Sequence, residues 1–181
     1  MHPINQNQFR QLDNWIKERI QAYRTTGMSI ALFDGQHINH EAQFGIADPI
    51  QKTPVTPSTI FAIGSIGKVF TAIAILQQVE NGYLDLQSSV VEILPWFKVN
   101  SRFDPINIKQ LLTHTAGPIM GTDFSPNAHG EVWGLREIPI VYPPGSKFHY
   151  SNIGYKILGL ILEEITSQPY PELIQKDILQ P

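Results

Sequence analysis

The sequence predicts an α/β chain of the α+β type, with strands and helices confined to separate stretches. Three observations carry this. Phe9, Leu12, Ile16, Ile20 and Tyr23 recur at three- and four-residue intervals, the period of an amphipathic helix. Residues 28–33 and 38–46 flank the turn pair Asp34-Gly35, and Ile38, His40, Ala42, Phe44 and Ile46 alternate with polar residues, as in a β-hairpin with one buried face. From Ser65 onward, helical periods dominate. The sheet so predicted is incomplete, because three or more strands with a covered face are the usual minimum for stability.

The first helix ends before Gly27. Lys52 to Ser58 carries two prolines and three hydroxyl residues and reads as a loop. From Ile66 to Leu76 nearly every residue is apolar or small, which predicts a helix buried on all sides that stops at Asn81-Gly82. Ser89 with Glu92, and Asn107 with Gln110, have capping-box spacing and mark the starts of short helices. Gly117 to Lys147 holds five prolines and five glycines without a clean period and reads as a long loop. Ser151 or Asn152 is placed to cap a helix bearing Tyr155, Ile157, Leu158, Ile161, Leu162 and Ile165, and a last helix runs from Pro171 toward Leu179. The chain therefore divides into 1–64, the start of an α/β lobe, 65–150, a mostly helical region opening on the Ser65 helix, and 151–181, helices returning toward the lobe. Its apolar final helix lacks a polar tail, so 1–181 is expected to be the N-terminal portion of one larger domain.

Composition excludes several function classes. Thirteen basic and 16 acidic residues give a net charge of −3, so no broad basic surface for nucleic acid is present. No uncharged apolar run approaches the ~20 residues that span a bilayer. Residues 1–8 lack a basic segment followed by an apolar one, so the default expectation is a cytoplasmic chain, periplasmic or extracellular if a leader was removed. There is no cysteine, hence neither disulfide nor thiol chemistry. The six histidines, His2, His37, His40, His114, His129 and His149, are scattered, and His37 and His40, three apart in a strand, point to opposite faces, so no metal is expected. No glycine-rich phosphate loop follows a strand, and no cofactor is expected. Trp15, Trp96 and Trp133 read as packing residues, with Trp133 a candidate for a cleft rim. Oligomeric state is not legible.

Lys68 follows Ser65 by three residues in an otherwise apolar stretch. A cation in the first turn of a helix is opposed by the helix dipole, by roughly 0.3–1 kcal/mol, and burial adds to the penalty. Both effects push the amine toward neutrality, and a neutral amine beside a hydroxyl can take its proton. The Ser65 hydroxyl would also stand at the positive end of the dipole, where its own N–H can stabilise an oxyanion. The structural alternative is a serine N-cap followed by a snorkelling lysine, and residue chemistry alone leaves both open. Tyr150 and Asn152, two apart in an extended segment, point the same way. A phenol can relay a proton and a carboxamide can hold an amide, although Tyr is commonly a core residue and Asn a common cap.

Taken together, these residues resemble the serine β-lactamase and penicillin-binding-protein family, in particular its class C β-lactamase, D-alanyl-D-alanine carboxypeptidase and esterase branch. Phe61-Ala-Ile-Gly-Ser-Ile-Gly-Lys68 looks like the nucleophile motif, Ile108-Lys-Gln-Leu-Leu-Thr-His-Thr-Ala-Gly117 like the T-x-x-x-L-L-x-H-T-S-G helix end, and Tyr142-Pro-Pro-Gly145 through Tyr150-Ser-Asn152 like the P-G-x-x-x-x-Y-S-N segment. The resemblance implies a β-lactamase/transpeptidase-like fold lacking its C-terminal strands. It also implies an acyl-enzyme mechanism on a small-molecule or peptide substrate (a β-lactam, a D-Ala-D-Ala peptide or a small ester). In that mechanism Ser65 attacks, Lys68 and Tyr150 share base and acid work, Asn152 positions substrate, and His114 is structural. Ala116 stands where the family usually has serine. The K-T-G or H-x-G motif, which supplies the second oxyanion N–H, is not in the sequence, since Lys52-Thr53 continues to Pro54. The alternative is therefore a non-catalytic fragment or inactive homologue that binds ligand at most.

Overall fold

The computed structural model describes residues 6–117 and 127–180. Part of the predicted loop Gly117–Lys147, namely residues 118–126, lies outside the described residues, as do His2 and Pro181. The chain forms two compact units, Met1–Ala62 and Ile63–Pro181.

In the first unit, α1 (Gln6–Tyr23) precedes an antiparallel pair, β1 (Gly27–Phe33) and β2 (Ile38–Asp48), in register from Gly27↔Gly45 to Leu32↔His40. A short third strand, β3 (Thr53–Pro54), pairs with β2 through Ile46↔Pro54 and Asp48↔Thr53. The sheet order is β1-β2-β3. Part of the predicted loop Lys52–Ser58 is thus an edge strand, the sheet position that tolerates a proline. Ile16, Phe44 and Val55 are buried. His40 joins helix to sheet, because the Phe9 ring stacks on it at 4.6 Å and its Nε2 bonds Asp13 Oδ1 at 2.8 Å. The predicted buried face of β2 is carried by Phe44, while Ile38 and Ile46 are exposed. Alternation fixes which way a side chain points, not whether another element covers it.

The second unit is helical. A 3-10 turn, Gly64–Ile66, leads into α2 (Gly67–Glu80), followed by α3 (Val90–Ile93), α4 (Ile108–Leu112), α5 (Ala128–Gly134) with a second 3-10 turn at Leu135–Glu137, α6 (Asn152–Thr166) and α7 (Tyr170–Ile174), the last passing into a π turn at Gln175–Leu179. α6 is the centre, with Ile157, Leu158, Ile161 and Leu162 fully buried against α2, α3, α4, α5 and α7. Each such side chain contributes roughly 1.5–3 kcal/mol. Both predicted capping boxes form, Ser89 with Glu92 on α3 and Asn107 with Gln110 on α4. α5 arises within the stretch read as loop, started by Asn127, whose Oδ1 accepts the Gly130 N–H at 2.6 Å. α7 begins one residue ahead of Pro171, where the Tyr170 N–H donates to Glu163 Oε1 at 2.8 Å.

α2 corrects the expectation of a helix buried on all sides. Thr71, Ala74 and Ile75 are buried, whereas Val69, Ile73 and Leu76 are 56%, 41% and 48% exposed. A helix apolar on every face carries no periodic signal of which face is covered. Among the described residues no helix is long and apolar enough to cross a membrane, and no group of three or more His, Asp or Glu residues could hold a metal ion.

Candidate active site

Gly64 adopts a left-handed φ of +53°, accessible to glycine without Cβ strain, and so starts the 3-10 turn that presents Ser65 to solvent. Ser65 does not cap the helix. Ile63 flanks the 3-10 turn and Ile66 flanks α2, which begins two residues beyond Ser65. Lys68 follows in the first turn of α2, half-buried where full burial was expected. Its Nζ donates to Ser65 Oγ at 3.2 Å and to Asn152 Oδ1 at 2.8 Å.

From the other side, Tyr150 Oη donates to Ser65 Oγ at 2.6 Å. Ser151, between Tyr150 and Asn152, is extended at φ −135° and ψ 115°, which sends both flanking side chains toward Ser65 and Lys68. It also caps α6, its Oγ accepting the Gly154 N–H at 3.1 Å. The cap predicted at Ser151 or Asn152 is therefore Ser151, which leaves the Asn152 carboxamide for Lys68.

The phenol of Tyr150 is held below its ordinary value of 10.0, first by hydrogen bonding with Lys68 and then with Ser65, while desolvation works the other way. Lys68 Nζ lies 4.9 Å from the Tyr150 ring centroid and 5.8 Å from that of Tyr155. Burial, followed by the neighbouring Tyr150, raises the Tyr155 phenol, which donates to Leu112 O at 3.1 Å.

A cleft of about 310 Å³ is lined by Gly64, Ser65, Lys68, Asn152, Tyr155 and Lys156. Two larger hollows of the same unit, about 670 and 690 Å³, are lined by residues that pair no hydroxyl with an amine. The structure thus brings Ser65, Lys68, Tyr150 and Asn152 together. It adds Tyr155 and Lys156, three and four residues beyond Asn152 on the same helical face. Lys156 is ion-paired to Glu131 at 2.6 Å, and the carboxylate side chain is only 4% exposed. A lysine one turn after Asn152 in a mostly apolar helix was the available signal, but its partner lies in α5, inside the stretch read as loop. Ala116 is buried in the core. Trp133 is not among the cleft-lining residues and instead joins a cluster with Trp96, His129 and Arg136, whose guanidinium sits 3.2 Å from its ring centroid.

The family model described as Beta-lactamase matches residues 12–181. The chain belongs to the β-lactamase family. Within this β-lactamase-family chain, 95% of the length aligns at 31% identity with Protein flp of Staphylococcus aureus strain N315, over 36% of that protein. Among solved structures, the octameric penicillin-binding protein homologue from Pyrococcus abyssi matches with a TM-score of 0.83 and 31% identity, over 96% of this chain and 42% of that one. The β-lactamase/D-alanine carboxypeptidase from Pseudomonas syringae matches with a TM-score of 0.75 and 28% identity, over 92% and 47%. The chain therefore spans less than half the length of these relatives.

Proposed function

We propose that this site performs acyl transfer as a serine hydrolase, on an amide or ester such as a β-lactam, a D-Ala-D-Ala peptide or a small ester. The reading rests on one observation: Ser65 Oγ is hydrogen-bonded by both Tyr150 Oη, at 2.6 Å, and Lys68 Nζ, at 3.2 Å. As Oγ bonds to the substrate carbonyl carbon, the hydroxyl proton passes to Tyr150 Oη in its phenolate form, whose charge the neighbouring Lys68 ammonium offsets. The tetrahedral oxyanion meets the Ser65 N–H at the start of its turn, where the first backbone donors lack intrahelical acceptors. Collapse of the intermediate breaks the bond to the leaving group, which takes the proton back from Tyr150 Oη. The resulting ester on Ser65 is then cleaved by water. A phenol of lowered pKa is more readily available as the base, and Asn152 holds both the Lys68 amine and the substrate amide.

A second reading, a non-catalytic fragment or inactive homologue that binds ligand at most, keeps the residues and drops the turnover. Labelling separates the two. Incubation with a fluorescent penicillin or a fluorophosphonate is expected to give a covalent adduct that Ser65→Ala abolishes. A folded chain that forms no adduct with either reagent overturns the hydrolase reading in favour of binding alone.

A further inference from the structure

We infer that His114 is the positioning residue of this site, a neutral imidazole that fixes the Tyr150-Ser151-Asn152 segment against Ser65 and Lys68. The inference deepens the acyl-transfer reading and rests on it for its catalytic consequence. Three observations carry it. The Ser151 N–H donates to His114 Nδ1 at 3.1 Å. The His114 carbonyl accepts the His149 N–H at 2.7 Å, so the imidazole and its own backbone grip the segment on both sides of Tyr150. The imidazole also stacks on the Tyr150 ring, 4.5 Å between centroids at 29°, with Tyr155 at 5.0 Å and Phe148 edge-on at 5.7 Å.

The backbone at His114 supports a constrained role. Its φ is +56°, the left-handed region that a non-glycine residue enters only at a cost of order 1–3 kcal/mol and keeps where its surroundings hold it. Asn, Asp and His are the side chains most often found there. Because Nδ1 accepts a hydrogen bond, the ring proton must reside on Nε2 and the imidazole must be uncharged. The surroundings favour that state, since burial first and the Lys68 charge second lower the His114 pKa from 6.5. The groups facing it are Lys68 from α2, Tyr150 and Phe148 from the segment before α6, and Tyr155 from α6. Protonation places a hydrogen on Nδ1, breaks the Ser151 contact and sets a cation beside Lys68. The segment bearing Tyr150 and Asn152 is then released. A misplacement of ~1 Å at such groups can cost ~10²-fold in rate.

Two substitutions isolate the acceptor. Asn carries an oxygen where His carries Nδ1 and tolerates the left-handed backbone, whereas Leu places a methyl there. In the full chain, the second-order rate of fluorophosphonate labelling is expected to fall ~10–100-fold in His114→Leu and to stay within ~5-fold of wild type in His114→Asn. The wild-type rate is expected to fall on the acid side below pH 6.5, and the Asn variant to lose that limb. Nitrogen NMR of the wild-type ring supplies a readout independent of activity, with an unprotonated Nδ1 and a protonated Nε2 expected at neutral pH. The Tyr150 and Asn152 resonances should move in the Leu variant and hold in the Asn variant. A ring protonated on Nδ1 at neutral pH, or Leu and Asn variants that match in these resonances, overturns the inference whatever the labelling result. A wild-type chain that shows the Nε2–H ring and the expected resonance pattern but no adduct refutes the hydrolase reading and upholds the positioning role.

Discussion

Gly117 closes the segment that begins at Ile108, and replacing it with alanine isolates why glycine is required there. Its φ is +88°, where a Cβ costs ~1–2 kcal/mol in backbone strain. The added carbon would stand 2.7 Å from Ile140 Cγ2 and 2.9 Å from Tyr142 O. The isoleucine methyl can turn aside, but the Tyr142 carbonyl belongs to the backbone leading toward Tyr150, and overpacking of this kind costs ~1–3 kcal/mol. Gly117→Ala is therefore expected to destabilise by ~2–5 kcal/mol, a large share of the ~5–15 kcal/mol that holds an ordinary domain together. Gly134 provides the control. Its φ of −65° and ψ of −17° are helical, and its Cβ position has nothing within 4 Å. Gly134→Ala should stabilise by ~0.4–1 kcal/mol through the unfolded state. Urea unfolding of the two variants should move the midpoint in opposite directions with an unchanged slope. The reasoning fails if Gly117→Ala unfolds within ~0.5 kcal/mol of wild type, or if both variants lose stability alike.

Three further outcomes are expected. Tyr150→Phe removes the 2.6 Å bond to Ser65 Oγ while keeping the ring on His114, so labelling should slow by ~10²–10⁴ with the unfolding midpoint nearly unchanged. Leu158→Ala empties space at a fully buried position of α6 and should cost ~2–5 kcal/mol in the same denaturation assay. Stability should depend on pH through His114: its folded pKa lies below 6.5, so between that lowered value and 6.5 the unfolded chain binds a proton the folded chain does not. The contribution is complete above pH 6.5, declines as pH falls through that window and levels off below it, and the decline should be absent from unfolding curves of His114→Asn.

Local signals carried much of the fold. Both capping boxes, the Asp34-Gly35 hairpin and the cap at Ser151 depend on neighbours within four residues, and all were legible as spacing. Signals that need distant partners were not. One local signal was also missed, the Asn127 cap of α5, which bonds only three residues away but stands among prolines and glycines. Which face of α2 is covered depends on α6 and α7, whose contacts Lys68–Asn152 and Thr71–Tyr170 join positions 84 and 99 residues apart. At the candidate site, the types and order of Ser65, Lys68, Tyr150 and Asn152 were readable, and so was the shared direction of Tyr150 and Asn152 from two-residue alternation. The 3-10 turn beneath Ser65 was not, because it follows from a left-handed Gly64. The acceptor role of His114 and the Glu131–Lys156 pair join positions 37 and 25 residues apart, which no periodicity encodes.

One fifteen-residue rod, α6, holds Asn152, Tyr155 and Lys156 at its first turn and Ile157, Leu158, Ile161 and Leu162 in the interior. Chemistry and cohesion are therefore not separable properties of this unit. The amides of that rod beyond its first turn should exchange with deuterium only when the whole helical unit opens, so the reacting groups stand on the most protected part of the unit rather than on a surface appendage.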